Sequence, residues 1–123
     1  MNHGKRSWLI PDMFWPASSA DGSCVSHEAI CLLNLSDEDC RIEITLYYED
    51  MEPVALRPYV CPSKRTLHIR MDKALDAGGS HIPRGVGYAA AVDCSVPAVV
   101  QYTRVDATQA ANSLMTTMAY PLD

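Results

Sequence analysis

Ser26, His27 and Glu28 stand side by side in the stretch VSHE, and they are the three residue types of a hydrolytic triad. A triad relays a proton from nucleophile to imidazole while a carboxylate orients the ring, and its members come from distant segments. In an extended chain neighbouring side chains point to opposite faces. Ser26 and Glu28 then share one face and His27 takes the other, so His27 cannot serve Ser26 while being oriented by Glu28. No G-x-S-x-G elbow occurs in the chain. The residues themselves describe the polar start of a strand, with Glu28 as a solvated carboxylate.

Three further constellations could carry chemistry. In QYTRVD, residues 101–106, Tyr102, Arg104 and Asp106 share one strand face, and Gln101, Thr103 and Val105 the other. An Arg that follows the apolar AVV run must be paired or must face a ligand; a pair with Asp106 accounts for it equally well. The segment WLIPDMFWP holds both tryptophans, Trp8 and Trp15, and the only Phe. Such a cluster suits a core, a subunit interface or a flat surface for a sugar ring. Lys64, Arg65, His68 and Arg70 form the one basic cluster, which reads as a solvated strand face.

Metal-ligand spacing is poor. Cys24 and His27 are three apart, but no second pair follows, and Cys31, Cys40, Cys61 and Cys94 are scattered. The expectation is five free thiols with neither metal nor cofactor. Cys31 sits in an apolar run and behaves there as a small hydrophobe, whereas Cys24 lies beside the VSHE stretch.

These groups must be positioned by strands. The chain has 123 residues, the size of one domain, so residues 1–123 are expected to form a single unit. Apolar residues make up 48%, enough for a core, and eight Pro and six Tyr favour strands and turns. RIEITLYY alternates cleanly, with Ile42, Ile44, Leu46 and Tyr48 on one face. AICLLNL is apolar on both faces and should be a central strand or one covered by a partner subunit. The short SDEDC turn between the two predicts a hairpin. RTLHIRM alternates again, placing Thr66, His68 and Arg70 opposite Leu67, Ile69 and Met71. YAAAVDC, AVVQYTRVD and SLMTTMAY complete the set, with SVP read as a turn and DATQAANS as a structured loop or a turn of helix. Seven or eight short strands with frequent turns predict an all-β antiparallel sandwich with at most one short helix.

The net charge of −5 opposes binding to phosphate backbones, so nucleic acid is an unfavourable partner. Pro11 and Asp12 interrupt the N-terminal apolar run, and no run approaches the roughly 18 residues that span a bilayer. A soluble, cytoplasmic protein is expected.

The strings SHEAICLLNLSDEDCRIEITLYYEDMEP, SKRTLHIR and PAVVQYTRVDATQAANSLMTTMAYP resemble the sensory rhodopsin transducer family, and the resemblance runs from Trp8 to Tyr120. It implies a β-sandwich, a homotetramer, and a superfamily of small-molecule-binding, sugar-binding domains, some recruited to signalling. By position it places Ser26, His27, Glu28, Arg65, Thr66, His68, Gln101, Thr103, Arg104, Asp106 and Trp8 at the family's polar site. It departs at Tyr102, where the family often carries His.

Three functions compete. The first is a non-enzymatic sensor of a small polar ligand, a sugar or sugar acid, bound by these residues with Trp8 or Trp15 as the stacking face. The second is a protein–protein transducer docking on a membrane receptor such as a sensory rhodopsin. The third is a sugar-modifying enzyme using His27 with a carboxylate as acid and base.

Overall fold

The computed structural model describes residues 3–20 and 25–122. Cys24 lies outside them. Among the described residues nine strands run in the order β1 (Lys5–Met13), β2 (His27–Asn34), β3 (Cys40–Tyr47), β4 (Val54–Ala55), β5 (Tyr59–Cys61), β6 (Arg65–Arg70), β7 (Tyr88–Asp106), β8 (Ser113–Met118) and β9 (Tyr120–Leu122). All pair antiparallel, and no helix forms among the described residues. The fold is an all-β sandwich. One layer runs β4-β3-β7-β1-β9 with β5 beside β3, and the other runs β6-β2-β7-β8.

β7 belongs to both layers. Residues Ala89–Cys94 pair with β3, and Val99–Val105 pair with β2. The expected turn at SVP is therefore corrected: the chain continues through it as one 19-residue strand. Pro97 falls between the two ladders, where no partner strand asks for its missing N–H, so the residue that argued for a turn is tolerated in the strand. Gly4 marks the same crossing. It has φ of 97°, and a Cβ there would stand 2.0 Å from the Ala98 carbonyl oxygen, so only glycine fits.

The predicted hairpin of AICLLNL with RIEITLYY is also corrected. β2 pairs with β6 and β7, whereas β3 pairs with β4, β5 and β7. Residues 35–39 arch from one layer to the other. Periodicity specifies which face of a strand is buried but says nothing about its neighbour. β2 is central in its layer, as its two apolar faces require.

The alternation itself is realised. Cys40, Ile42, Ile44 and Leu46 of β3 point into the core with Ile30 and Leu32 of β2, Ile69 of β6, and Val92, Val100 and Tyr102 of β7. Burying each large aliphatic contributes about 1.5–3 kcal/mol. The outer face of the second layer is less covered. Leu33 is 40% exposed, and every residue of β8 is exposed, Leu114 at 74% and Met118 at 54%.

Candidate functional site

Glu28 is the second residue of β2, and its side chain is fully buried, which corrects the solvated carboxylate expected there. It faces Arg104 directly in the β2–β7 register. Its Oε1 accepts a hydrogen bond from the Tyr88 hydroxyl at 2.7 Å, and its Oε2 accepts one from the Phe14 backbone N–H at 2.7 Å. Arg104 Nε stands 3.5 Å from Oε2 and donates to the Tyr102 hydroxyl at 2.9 Å. Among the described residues Nη2 of Arg104 finds no hydrogen-bond partner, and it lies 3.9 Å from the exposed carboxylate of Asp12.

This cluster ties the layers together. Tyr88 opens β7 in the first layer, and Arg104 lies near its end in the second; Phe14 follows β1 and Glu28 lies near the start of β2. Burial pushes the Glu28 carboxyl above its usual range, against the opposing pull of Tyr88, the Phe14 amide and Arg104. Burial and the adjacent Glu28 charge push the Tyr88 phenol up as well.

The remaining expected residues do not assemble around Glu28. Ser26 is buried on the same face and serves the backbone. Its hydroxyl donates to the Ser18 carbonyl at 3.2 Å and accepts from the Ala107 N–H at 2.9 Å, while Arg84 donates to its carbonyl at 3.1 Å. His27 points the other way, as the alternation requires, and its Nδ1–H donates to the Val25 carbonyl at 2.6 Å. Near it, Asp72 takes two 2.8 Å hydrogen bonds from Arg70. Burial would raise the Asp72 carboxyl, but the guanidinium outweighs this and holds it low.

Thr66, His68 and Gln101 lie on the outer face of the second layer. Cys31 stands opposite both His68 and Gln101, and Gln101 stands opposite Met118, so one row crosses all four strands. Thr66 donates to the Leu32 carbonyl at 3.1 Å, and Gln101 to the Thr116 hydroxyl at 2.8 Å; Thr103 shares a 3.0 Å bond with the same hydroxyl. Arg65 is exposed and donates to the Lys64 carbonyl. Asp106 is held low by the Thr108 hydroxyl and amide. Arg104 forms its ion pairs with Glu28 and Asp12 instead of Asp106.

The stacking faces expected of Trp8 and Trp15 are corrected. Trp8 is 6% exposed and its indole N–H donates to the Lys5 and Ala98 carbonyls. Trp15 is 1% exposed, with Tyr88 edge-on at 5.8 Å and the Arg84 guanidinium 5.9 Å from its ring centre. Both rings are core, which is where a large apolar surface gains most.

Sequence reasoning missed Tyr88, Asp12 and Asn34. Tyr88 lies 60 residues from Glu28, and nothing local in either segment marks the pairing. Clefts lie on both sides of Asp12. One, of about 510 Å³, runs between β1 and β8 and is lined by Leu9, Tyr102, Met115 and Tyr120 among others. The second, of about 330 Å³, lies at the ends of β1 and β3. The four described thiols are free; Cys40, Cys61 and Cys94 are buried, and burial together with Cys40 pushes Cys94 up to about 12.

The family model described as Anabaena sensory rhodopsin transducer matches residues 3–121. The crystal structure of Thermotoga maritima 1070 superposes with a TM-score of 0.86 at 35% identity, covering 98% of this chain and 97% of that one. The structure of the Anabaena sensory rhodopsin transducer superposes with a TM-score of 0.71 at 34% identity, covering 83% of this chain and 98% of that one. No curated protein matches the sequence.

Proposed function

Because the chain belongs to the sensory rhodopsin transducer family, we propose that it is a non-enzymatic signal-transducer domain whose surface docks on a membrane receptor of the sensory rhodopsin kind. The observation that carries this is the family match over 3–121 together with 34% identity to the Anabaena transducer. No helix among the described residues is long and apolar enough to cross a membrane, so in this reading the receptor supplies the membrane span.

The geometry favours docking over a saccharide site. Glu28 and Ser26 spend their hydrogen bonds on the protein, and both Trp rings are buried. The exposed surface instead carries apolar side chains: Leu33, Leu114, Met115, Met118 and Tyr120. Protein contacts are enriched in such Met and aromatic groups. The domain is cytoplasmic in this reading, facing the receptor's inner side.

Titrating the protein into a sensory rhodopsin held in lipid nanodiscs tests the reading. Saturable binding, above that to empty nanodiscs and changed by illumination, is the expected result. Equal signal from empty and loaded nanodiscs would overturn it.

The same apolar surface supports self-association into a homotetramer. A strand with all six residues exposed and an unpaired edge is an aggregation hazard unless another chain covers it. Sedimentation velocity at micromolar concentration is expected to show a species several times the 13.5 kDa chain mass. Leu114→Lys with Met118→Lys should shift it toward monomer without lowering the strand signal in circular dichroism. A parent protein that sediments at chain mass removes this role for β8.

A further inference from the structure

We propose that the cleft at the ends of β1 and β3 receives a basic segment of the receptor, a run of chain that presents Lys or Arg. The proposal rests on the receptor-docking reading and adds the chemistry of the contact. The cleft holds about 330 Å³, walled by Tyr47, Tyr48 and Tyr88, with the carboxylates of Asp12 and Glu49 beside them. No Lys, Arg or His lines it among the described residues.

Each feature suits a cation. Tyr47 is 46% exposed and open to an incoming group. Tyr48 and Tyr88 stack at 5.9 Å with their planes 28° apart. The Tyr88 ring is pinned from below by its hydrogen bond to Glu28, so this wall is set before any ligand arrives. Tyr88 is 5% exposed and only backs the wall, so the attraction of an ammonium or guanidinium to a ring quadrupole falls to the exposed Tyr47 and the half-buried Tyr48. The Asp12 side chain is 88% exposed, and Arg104 approaches it only at 3.9 Å while engaged with Glu28 and Tyr102. Beyond Glu49, the exposed Asp50 and Glu52 extend the negative surface, on a chain whose net charge is already −5.

The partner's chemistry follows from the membrane. Cytoplasmic loops and helix ends of membrane proteins carry an excess of Lys and Arg. An acidic, aromatic cleft complements such a segment, and that complementarity steers encounter as well as orientation. An anionic lipid headgroup or a phosphate would meet two carboxylates and no lining cation.

The test uses the peptide acetyl-Lys-Arg-Lys-Arg-amide and a sensory rhodopsin in nanodiscs, each against the parent protein and an Asp12→Asn, Glu49→Gln double variant. Glu43→Gln, on the outer face of β3, is the control, and thermal melts verify that all three are folded. Peptide binding at low salt, weakened about tenfold in the double variant, unchanged in the control and weakened by added salt, is expected. The rhodopsin should show the same ratio. Equal peptide affinity for parent and double variant, or no peptide binding at all, overturns the cleft. If rhodopsin binds parent and double variant equally, the cleft is overturned and the docking reading stands. If rhodopsin binds neither while the peptide discriminates, the receptor reading fails and the cleft stands as a site for basic chains.

Discussion

Glu28→Ala is expected to lower the unfolding free energy by about 3–5 kcal/mol, the range for removing one partner of a buried ion pair. The substitution leaves the Tyr88 hydroxyl and the Phe14 N–H without an acceptor and takes the nearest carboxylate from Arg104. Small domains hold only about 5–15 kcal/mol in all, so the variant should unfold at a much lower urea midpoint. Glu28→Gln keeps the volume and one acceptor, and its amide can still bond the Tyr88 oxygen. It leaves Arg104 facing a neutral group, and a loss of about 1–2 kcal/mol is expected.

The two variants also separate charge from shape through pH. Burial holds the folded-state Glu28 value above its ordinary 4.5, so the folded protein keeps this proton more tightly than the unfolded chain does. The proton-linked part of its contribution is complete below the ordinary value and is lost as pH rises through the folded value, while the hydrogen bonds from Tyr88 and Phe14 remain. The parent should therefore lose stability across that window, and Glu28→Gln should lose less. Urea midpoints measured across the acid range decide it. A Glu28→Ala protein within about 1 kcal/mol of the parent would mean that the cluster does not hold the layers together.

What the sequence made legible follows from what is local. The period of two put Ser26 and Glu28 on one face and His27 on the other, and the structure has that arrangement. It also oriented β3 and β6. Pairing was not legible, because it depends on register between distant segments. β2 and β3 looked like a hairpin since a short polar turn joined them, yet each found its partner in a different half of β7. Pro97 looked like a stop because the local rule assumes a neighbouring strand that needs its N–H. Arg104 needs a pair or a ligand, and Asp106 is near in sequence; Glu28 is opposite in space. The resemblance assigns most of the candidate residues by position, and the fold divides them between a buried inter-layer tie and an outer strand face.

Asn34 is the clearest residue that residue type and period both hid, since it sits inside an apolar run, and its loss should rank beside that of Glu28. The side chain is fully buried where three chain segments meet. Its amide nitrogen donates to the carbonyls of Glu38 at 2.8 Å, Cys61 at 3.1 Å and Pro62 at 3.3 Å, sharing two hydrogens among three acceptors. Its oxygen accepts from the Ser36 N–H at 3.0 Å and the Ser36 hydroxyl at 2.8 Å. This one amide thus holds the arch of residues 35–39 between the layers and fastens it to the turn after β5. Asn34→Ala leaves those groups without their partner, and a loss of about 2–4 kcal/mol is expected from unsatisfied buried polar groups. Asn34→Asp tests the cause, because it preserves volume and the acceptor while replacing both donor hydrogens with an oxygen. At neutral pH a carboxylate would face three carbonyl oxygens, so Asn34→Asp should cost at least as much as Asn34→Ala. Acidifying toward the carboxyl's own titration returns one donor and should recover part of the loss. Urea melts of both variants at neutral and acid pH read this directly, and an Asn34→Asp protein as stable as the parent at neutral pH would show that filling space, rather than donating hydrogen bonds, is what this position requires.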